Sequence, residues 1–295
     1  MSKSSVFSTR EGTTMKKLLL ASAISGLFAL PSMAVAQTAA AAPTPEHTYT
    51  GNATLVSDYR FRGISQTYKL PAVQAGFDYA HASGVYLGTW ASNVSGNMYP
   101  NGAGLEWDLY GGYKGAISGD LGYDVGLLYY YYPGVHFNDP TKTKANNTEL
   151  YAALTYKWLT VKYSHTLSDF FGVNNDTFGG ACQDGRTGNG ADCFVAQPGN
   201  SKGSGYLDVS ANFEIADKLT LGLHVGHQSV KNYSKLDYTD YRIGLTKDVG
   251  GWLLGAAIIG TDAKKGWYTV SRAGLPTDYQ VVSKPTLVLS LGKTF

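Results

Sequence analysis

Cysteine, charge and long apolar runs are all scarce in this 295-residue chain. Its two cysteines, Cys182 and Cys193, are too few for a disulfide-built scaffold or for a four-cysteine metal cluster. Charged residues make up 16%, below the roughly 25% of an ordinary soluble domain. No apolar run reaches the ~20 residues that a helix needs to cross a bilayer: Leu18 to Leu30 falls short, and Gly251 to Gly260 (GWLLGAAIIG) is half that length. A helical membrane protein is therefore not expected. The formal charge of +2 is no basic excess either, and residues 1–36 hold four bases and one acid, which leaves about −1 for the remainder. Nucleic acid is not an expected partner.

Glycine (36) and tyrosine (22) are abundant, which disfavours a helical enzyme and suits closely packed strands with aromatic ends. The N-terminus has the layout of an export signal. Met15-Lys16-Lys17 opens a basic region, Leu18 to Leu30 is the apolar run, and Ala34-Val35-Ala36 before Gln37 has the small-x-small form of a cleavage site. Residues 1–36 are read as a leader cleaved after Ala36, with 1–14 an upstream start extension, and 37–47 as a short periplasmic segment.

The remainder alternates with period two, the strand period, in which successive side chains point to opposite faces. Leu105, Trp107, Leu109 and Tyr113 oppose Glu106, Asp108 and Lys114; Leu207, Val209, Ala211 and Phe213 oppose Asp208, Ser210, Asn212 and Glu214. Such runs fall at roughly 49–62, 71–81, 84–94, 104–115, 120–132, 148–158, 159–169, 205–215, 218–230, 238–247, 251–261 and 284–295. Each is about ten residues, the length of a tilted strand crossing a bilayer. Joins alternate in length: short at Ala82-Ser83, Gly115 to Gly119, Trp158, Ala216-Asp217 and Asp248 to Gly250; long at 63–70, 95–103, 133–147, 170–204, 231–237 and 262–283. An even strand number with sorted loops predicts a closed antiparallel transmembrane β-barrel over 48–295, all-β, about twelve strands, with both termini periplasmic. A soluble β-sandwich also has short alternating strands but no reason to sort its loops. The last strand carries Leu287, Leu289, Leu291 and a terminal Phe295 on one face, a mark of chains handed to the outer-membrane insertion machinery. Tyr129 to Tyr132 and Trp158 fit the two aromatic girdles.

The polar face supplies the candidate lumen: Asp58, Arg60, Arg62, Asp78, Glu106, Asp108, Asp124, Glu149, Asp208, Glu214, Asp240 and Arg242. An arginine or lysine turned toward lipid near the midplane costs ~2–4 kcal/mol, so these charges belong inside. The stretch SDYRFRGIS (57–65) is read as the loop-proximal end of the first strand, with Tyr59 and Phe61 outward and Asp58, Arg60 and Arg62 inward, within reach of acids such as Asp78. The charges either line a water-filled path or pair across a narrow barrel and plug it.

Other chemistry is thin. Cys182 and Cys193 lie in the longest loop and are expected to be disulfide-bonded in an exported chain. Asp176, Asp184 and Asp192 read as solvated turns more readily than as a calcium site. Gly292-Lys293-Thr294 ends like a phosphate-binding loop, but Leu287 stands where the first glycine is required. Ser164 and His165 point to opposite faces, as do His224 and His227. No catalytic residue, cofactor or metal is expected, although a Ser, His and acid converging from different strands would support a hydrolase.

The segments LVSDYRFRGISQT (55–67), PAVQAGFDYAHASGVYLGTWASNV (71–94) and DYTDYRIGLTKDVGGWLLGAAIIGTDA (237–263) resemble the TorF-type porins of proteobacteria, catalogued largely as a domain of unknown function. The resemblance implies an outer-membrane barrel passing small solutes, without a defined substrate; the Cys182/Cys193 loop and 37–45 have no counterpart in it. The expectation is an outer-membrane barrel of a Gram-negative bacterium, surrounded by lipid, forming a narrow channel for small polar solutes or ions. The alternative is a non-conducting or ligand-binding barrel that uses the disulfide loop as a contact.

Overall fold

The computed structural model describes residues 45–295 apart from 100, 102–103 and 138–140. The leader over 1–36 with its cleavage point, and all but the end of the 37–47 segment, lie outside the described residues. Among the described residues, twelve antiparallel strands close a barrel. In chain order they are β1 (His47–Val56), β2 (Ala72–His81), β3 (Val85–Asn93), β4 (Leu105–Ser118), β5 (Leu121–Tyr131), β6 (Asn147–Tyr156), β7 (Leu159–Thr166), β8 (Gly205–Ala216), β9 (Leu219–Ser229), β10 (Tyr238–Val249), β11 (Trp252–Thr261) and β12 (Thr286–Thr294). Every strand pairs with its sequence neighbours, and β1 meets β12 at the seam, Asn52 opposite Thr294 through Val56 opposite Ser290.

Closure and alternation together produce the wall. Leu55, Val73, Phe77, Leu87, Ile258 and Leu287 are all at least half exposed on the outside. Their neighbours of opposite parity, Gln74, Ser92, Glu106, Glu149 and Gln228, are buried inside. An apolar outer wall around a polar interior inverts the arrangement of a soluble protein and suits lipid. There, a sheet satisfies every backbone N–H and C=O only when it is closed.

Short turns close one end. Lys157 and Lys218 take positive φ there (53° and 52°). β4 runs on to Ser118, so the join expected at Gly115 to Gly119 tightens to Gly119-Asp120. The other end carries the long loops, and the apolar clusters lie there. Val173, Phe194, Val230, Tyr233 and Leu236 form one; Ile64, Tyr68, Tyr238, Ala263 and Val282 form the other. A hairpin of Thr269–Arg272 with Leu275–Val281 belongs to this cap.

The tyrosine run divides by parity. Tyr129 and Tyr131 stack outside with ring centroids 6.2 Å apart, whereas Tyr130 and Tyr132 turn inward and are buried. Only half of the expected girdle there faces lipid. At the opposite end Trp158 is exposed against Phe213, as expected.

Candidate functional site: the lumen and the loop that crosses it

The first strand does not run to residue 62. β1 ends at Val56, where Ser57 N donates to Leu289 O (2.9 Å) and Ser57 Oγ accepts from Leu289 N (3.0 Å). The chain then leaves the sheet and folds into the barrel as a small hairpin, Arg60–Phe61 with Ile64–Ser65. Arg62 and Gly63 form its turn, both at positive φ (45° and 79°), as two-residue hairpin turns of the primed type require. Gly63 abuts β10 and β11: a Cβ there would stand 2.3 Å from Thr261 Cγ2 and 2.9 Å from Asp240 Cβ. Tyr59 and Phe61 are therefore not lipid-facing. Both are buried, Tyr59 edge-on to Trp90 and Phe61 edge-on to Tyr130 and Phe171.

Two ion pairs hold this loop. Arg60 Nε donates to Asp58 Oδ2 (2.6 Å), Arg60 Nη1 to the carbonyls of Gly63, Val282 and Lys284, and Arg60 Nη2 to Thr286 Oγ1 (2.8 Å). Asp58 Oδ1 accepts from Ser65 Oγ (2.6 Å). Asp58 thus pairs within the loop and not with Asp78 on the wall, which accepts from Tyr110 Oη (2.6 Å). Arg62 reaches further. Its Nη2 donates to both oxygens of Glu149 on β6 (2.9 and 2.8 Å) and its Nη1 to Gln228 Oε1 on β9 (2.7 Å). The guanidinium also lies 4.1 Å over the Tyr206 ring of β8. A bidentate, fully buried pair of this kind is geometrically specific. With Tyr59 Oη donating to Glu106 Oε1 on β4 (3.0 Å), the loop touches walls on several sides and spans the lumen near its long-loop end.

Beside the loop sit two buried acids of β4, Glu106 and Asp108. Glu106 Oε2 and Asp108 Oδ1 have no hydrogen-bond partner among the described residues. Deeper, β3 to β7 carry a mixed ladder. Tyr86 Oη donates to Asp124 Oδ1 (2.5 Å) and touches Tyr151 Oη, Lys114 opposes Asp124 in register, and the Lys162 ammonium lies 4.0 Å over the Tyr151 ring. Of the expected lumen residues, Glu214 is the exception: it is exposed beside a short turn, where its Oε1 accepts from Lys218 N (3.1 Å).

The wall of β8 to β10 brings together Asp208, Ser210, His224 and Asp240. His224 Nδ1 is 3.0 Å from Ser210 Oγ and 3.2 Å from Asp208 Oδ2, and its Nε2 is 2.9 Å from Asp240 Oδ1. This has the outline of a Ser-His-Asp triad, assembled across strands. The details favour an ion network. Ser210 Oγ donates to Asp208 Oδ1 (2.6 Å), so its proton points to a carboxylate and not to the imidazole. The strand N–H groups around Ser210 are engaged in the sheet, where an oxyanion would need free ones. Sequence reasoning missed Lys162 and Tyr206 as lumen partners; both share inward parity with the acids it found.

In the longest loop Cys182 and Cys193 are disulfide-bonded. Lys235 Nζ bonds Asp192 and donates to Cys193 O (2.7 Å), and the Lys235 ammonium holds the Asp192 carboxyl below the usual carboxylate range. Arg186 does the same for Asp184 and also reaches Ser271 Oγ (2.8 Å). The loop is tied to its neighbours.

The family described as "Bacterial protein of unknown function (Gcw_chp)" matches residues 40–295, and the chain belongs to it. No curated protein matches. Among solved structures the chain is similar to the KdgM porin (8% identity, TM-score 0.47, covering 84% of this chain and 98% of that one). It is similar to the NanC porin at 9% identity and TM-score 0.45 (84% and 99%), and to OprD of Pseudomonas aeruginosa at 12% and 0.33 (86% and 67%).

Proposed function

We propose that the chain is an outer-membrane porin: a narrow, non-enzymatic channel for small polar solutes or ions. One observation carries this reading, an apolar outer wall closed around a charged interior. The short turns and both termini face the periplasm, and Phe295 serves the insertion machinery. The resemblance of 55–67, 71–94 and 237–263 to TorF-type porins supports the same reading. The constriction is the 57–70 loop. Asp58 and Glu149 pair with Arg60 and Arg62, so the charges that hold the loop cancel in place.

Purified protein in planar bilayers is expected to give stepwise currents. The buried Arg62–Glu149 pair favours one competing reading, a plugged structural barrel; a correctly folded protein that never conducts would establish it. The triad-like group of β8 to β10 is expected to leave Ser210 unlabelled by a fluorophosphonate probe, and labelling lost in Ser210→Ala would revive the hydrolase.

A further inference from the structure

Outside the lumen, at the short-turn end of the barrel, Glu46, His47 and His81 bring three metal-binding side chains together. One ligand atom of each lies within 4.8 Å of the other two. His47 and His81 are direct cross-strand partners on β1 and β2, so the register sets both rings on one face, with centroids 5.2 Å apart. Glu46 Oε1 stands 3.4 Å from His81 Nε2. The far side of each ring is also engaged. His47 Nδ1 is 3.0 Å from Tyr79 Oη, and His81 Nδ1 is 2.7 Å from Ser83 Oγ and 3.1 Å from Ser83 N. For His47, a proton on Nδ1 donated to Tyr79 Oη leaves Nε2 a lone pair for a metal. His81 Nδ1 accepts from Ser83 N, which puts its proton on Nε2 toward Glu46; a metal on Nε2 requires that proton to move to Nδ1, where Ser83 Oγ is placed to accept it, in exchange for the bond from Ser83 N. Oriented imidazoles of this kind are what metal sites use.

The place in the fold gives such an ion a purpose. On its other side β1 is in register with β12 only from Asn52 onward, extended by the backbone bonds between Gly51 and Phe295. Among the described residues, His47 to Thr50 are therefore held by β2 alone, at the seam where the barrel closes. A sheet end with one partner opens more readily than one with two.

We propose that Glu46, His47 and His81 bind one divalent transition-metal ion of the zinc type, with water completing a tetrahedron, and that the ion fastens β1 to β2 beside the seam. Two imidazoles and one carboxylate suit zinc, copper or nickel and not magnesium or calcium. Bonds of about 2.0–2.2 Å require the donors to approach more closely than they stand. Glu46 and His47 are exposed and His81 half-buried, so rotation of the side chains suffices.

The test uses the full mature chain folded in detergent micelles and titrated calorimetrically with zinc chloride, with magnesium chloride as control. One equivalent of zinc is expected to bind and magnesium not to. His47→Ala and His81→Ala are each expected to weaken zinc by more than about tenfold, the scale that even outer partners of a metal site command. Zinc is further expected to raise the urea midpoint of the parent and leave that of the His47→Ala/His81→Ala variant unmoved. Absence of zinc uptake, or uptake unchanged in the double variant, overturns the site; uptake without a midpoint shift overturns the fastening. These outcomes are independent of whether the barrel conducts.

Discussion

Arg62 is the residue on which the state of the lumen turns. Its guanidinium joins a loop from the first strand to β6 and β9 through three charge-assisted hydrogen bonds. Arg62→Ala leaves the buried Glu149 without its cation, a change that costs about 3–5 kcal/mol in buried pairs. The strands keep their ladders, so the loop is the part that yields. Single-channel conductance is expected to rise in Arg62→Ala, with folding checked by gel mobility; Arg62→Lys keeps the charge but loses the fork and should fall between. Unchanged conductance in the alanine variant would mean that the loop does not set the constriction. The sequence conveys the charge of this stretch but not its place. Asp58, Arg60 and Arg62 alternate with Tyr59 and Phe61 as they would in a strand, and the alternation belongs to a separate hairpin inside the barrel. Gly63 was the available signal, since a turn with positive φ at Arg62 and Gly63 ends a strand instead of extending it.

At the scale of elements, all twelve strands are legible because a period of two sustained over about ten residues is hard to produce otherwise. What the pattern could not convey is how loops pack, since the contacts between 167–204, 230–237 and 262–285 join segments with no common period. The cap they form depends partly on Asp184 and Asp192, both held below the ordinary carboxylate range by their cationic partners. A carboxyl with a depressed folded pKa adds stability that is present above its unfolded value, about 3.9 for aspartate, and lost as pH falls through the lower folded value. Amide protection in 182–193, measured against the unstructured exchange rate at the same pH, is therefore expected to fall as pH drops below about 4, with barrel strands still protected; unchanged protection would assign no role to these pairs. The same packing bears on deletion of 173–200. Val173 and Phe194 would both be lost from the cluster they form with Val230, Tyr233 and Leu236, so the cap as well as any ligand contact would change.

For the molecule as a whole, the inside and the outside obey opposite rules. Leu289 faces outward on β12, opposite Ala256. Leu289→Arg is expected to destabilise the folded barrel in lipid vesicles by ~2–4 kcal/mol, the cost of arginine near the midplane. Val195→Arg, on the exposed part of the long loop, should change little. Urea titration of both variants checks this, and equal effects would place the apolar wall outside lipid. The inward loop adds a constraint of another kind, on the order of assembly. Arg60 finishes its hydrogen bonds only on Val282, Lys284 and Thr286, more than 220 positions later in the chain. Those bonds tie the segment after the first strand to the start of the last, so the loop is fully seated only once the seam has formed.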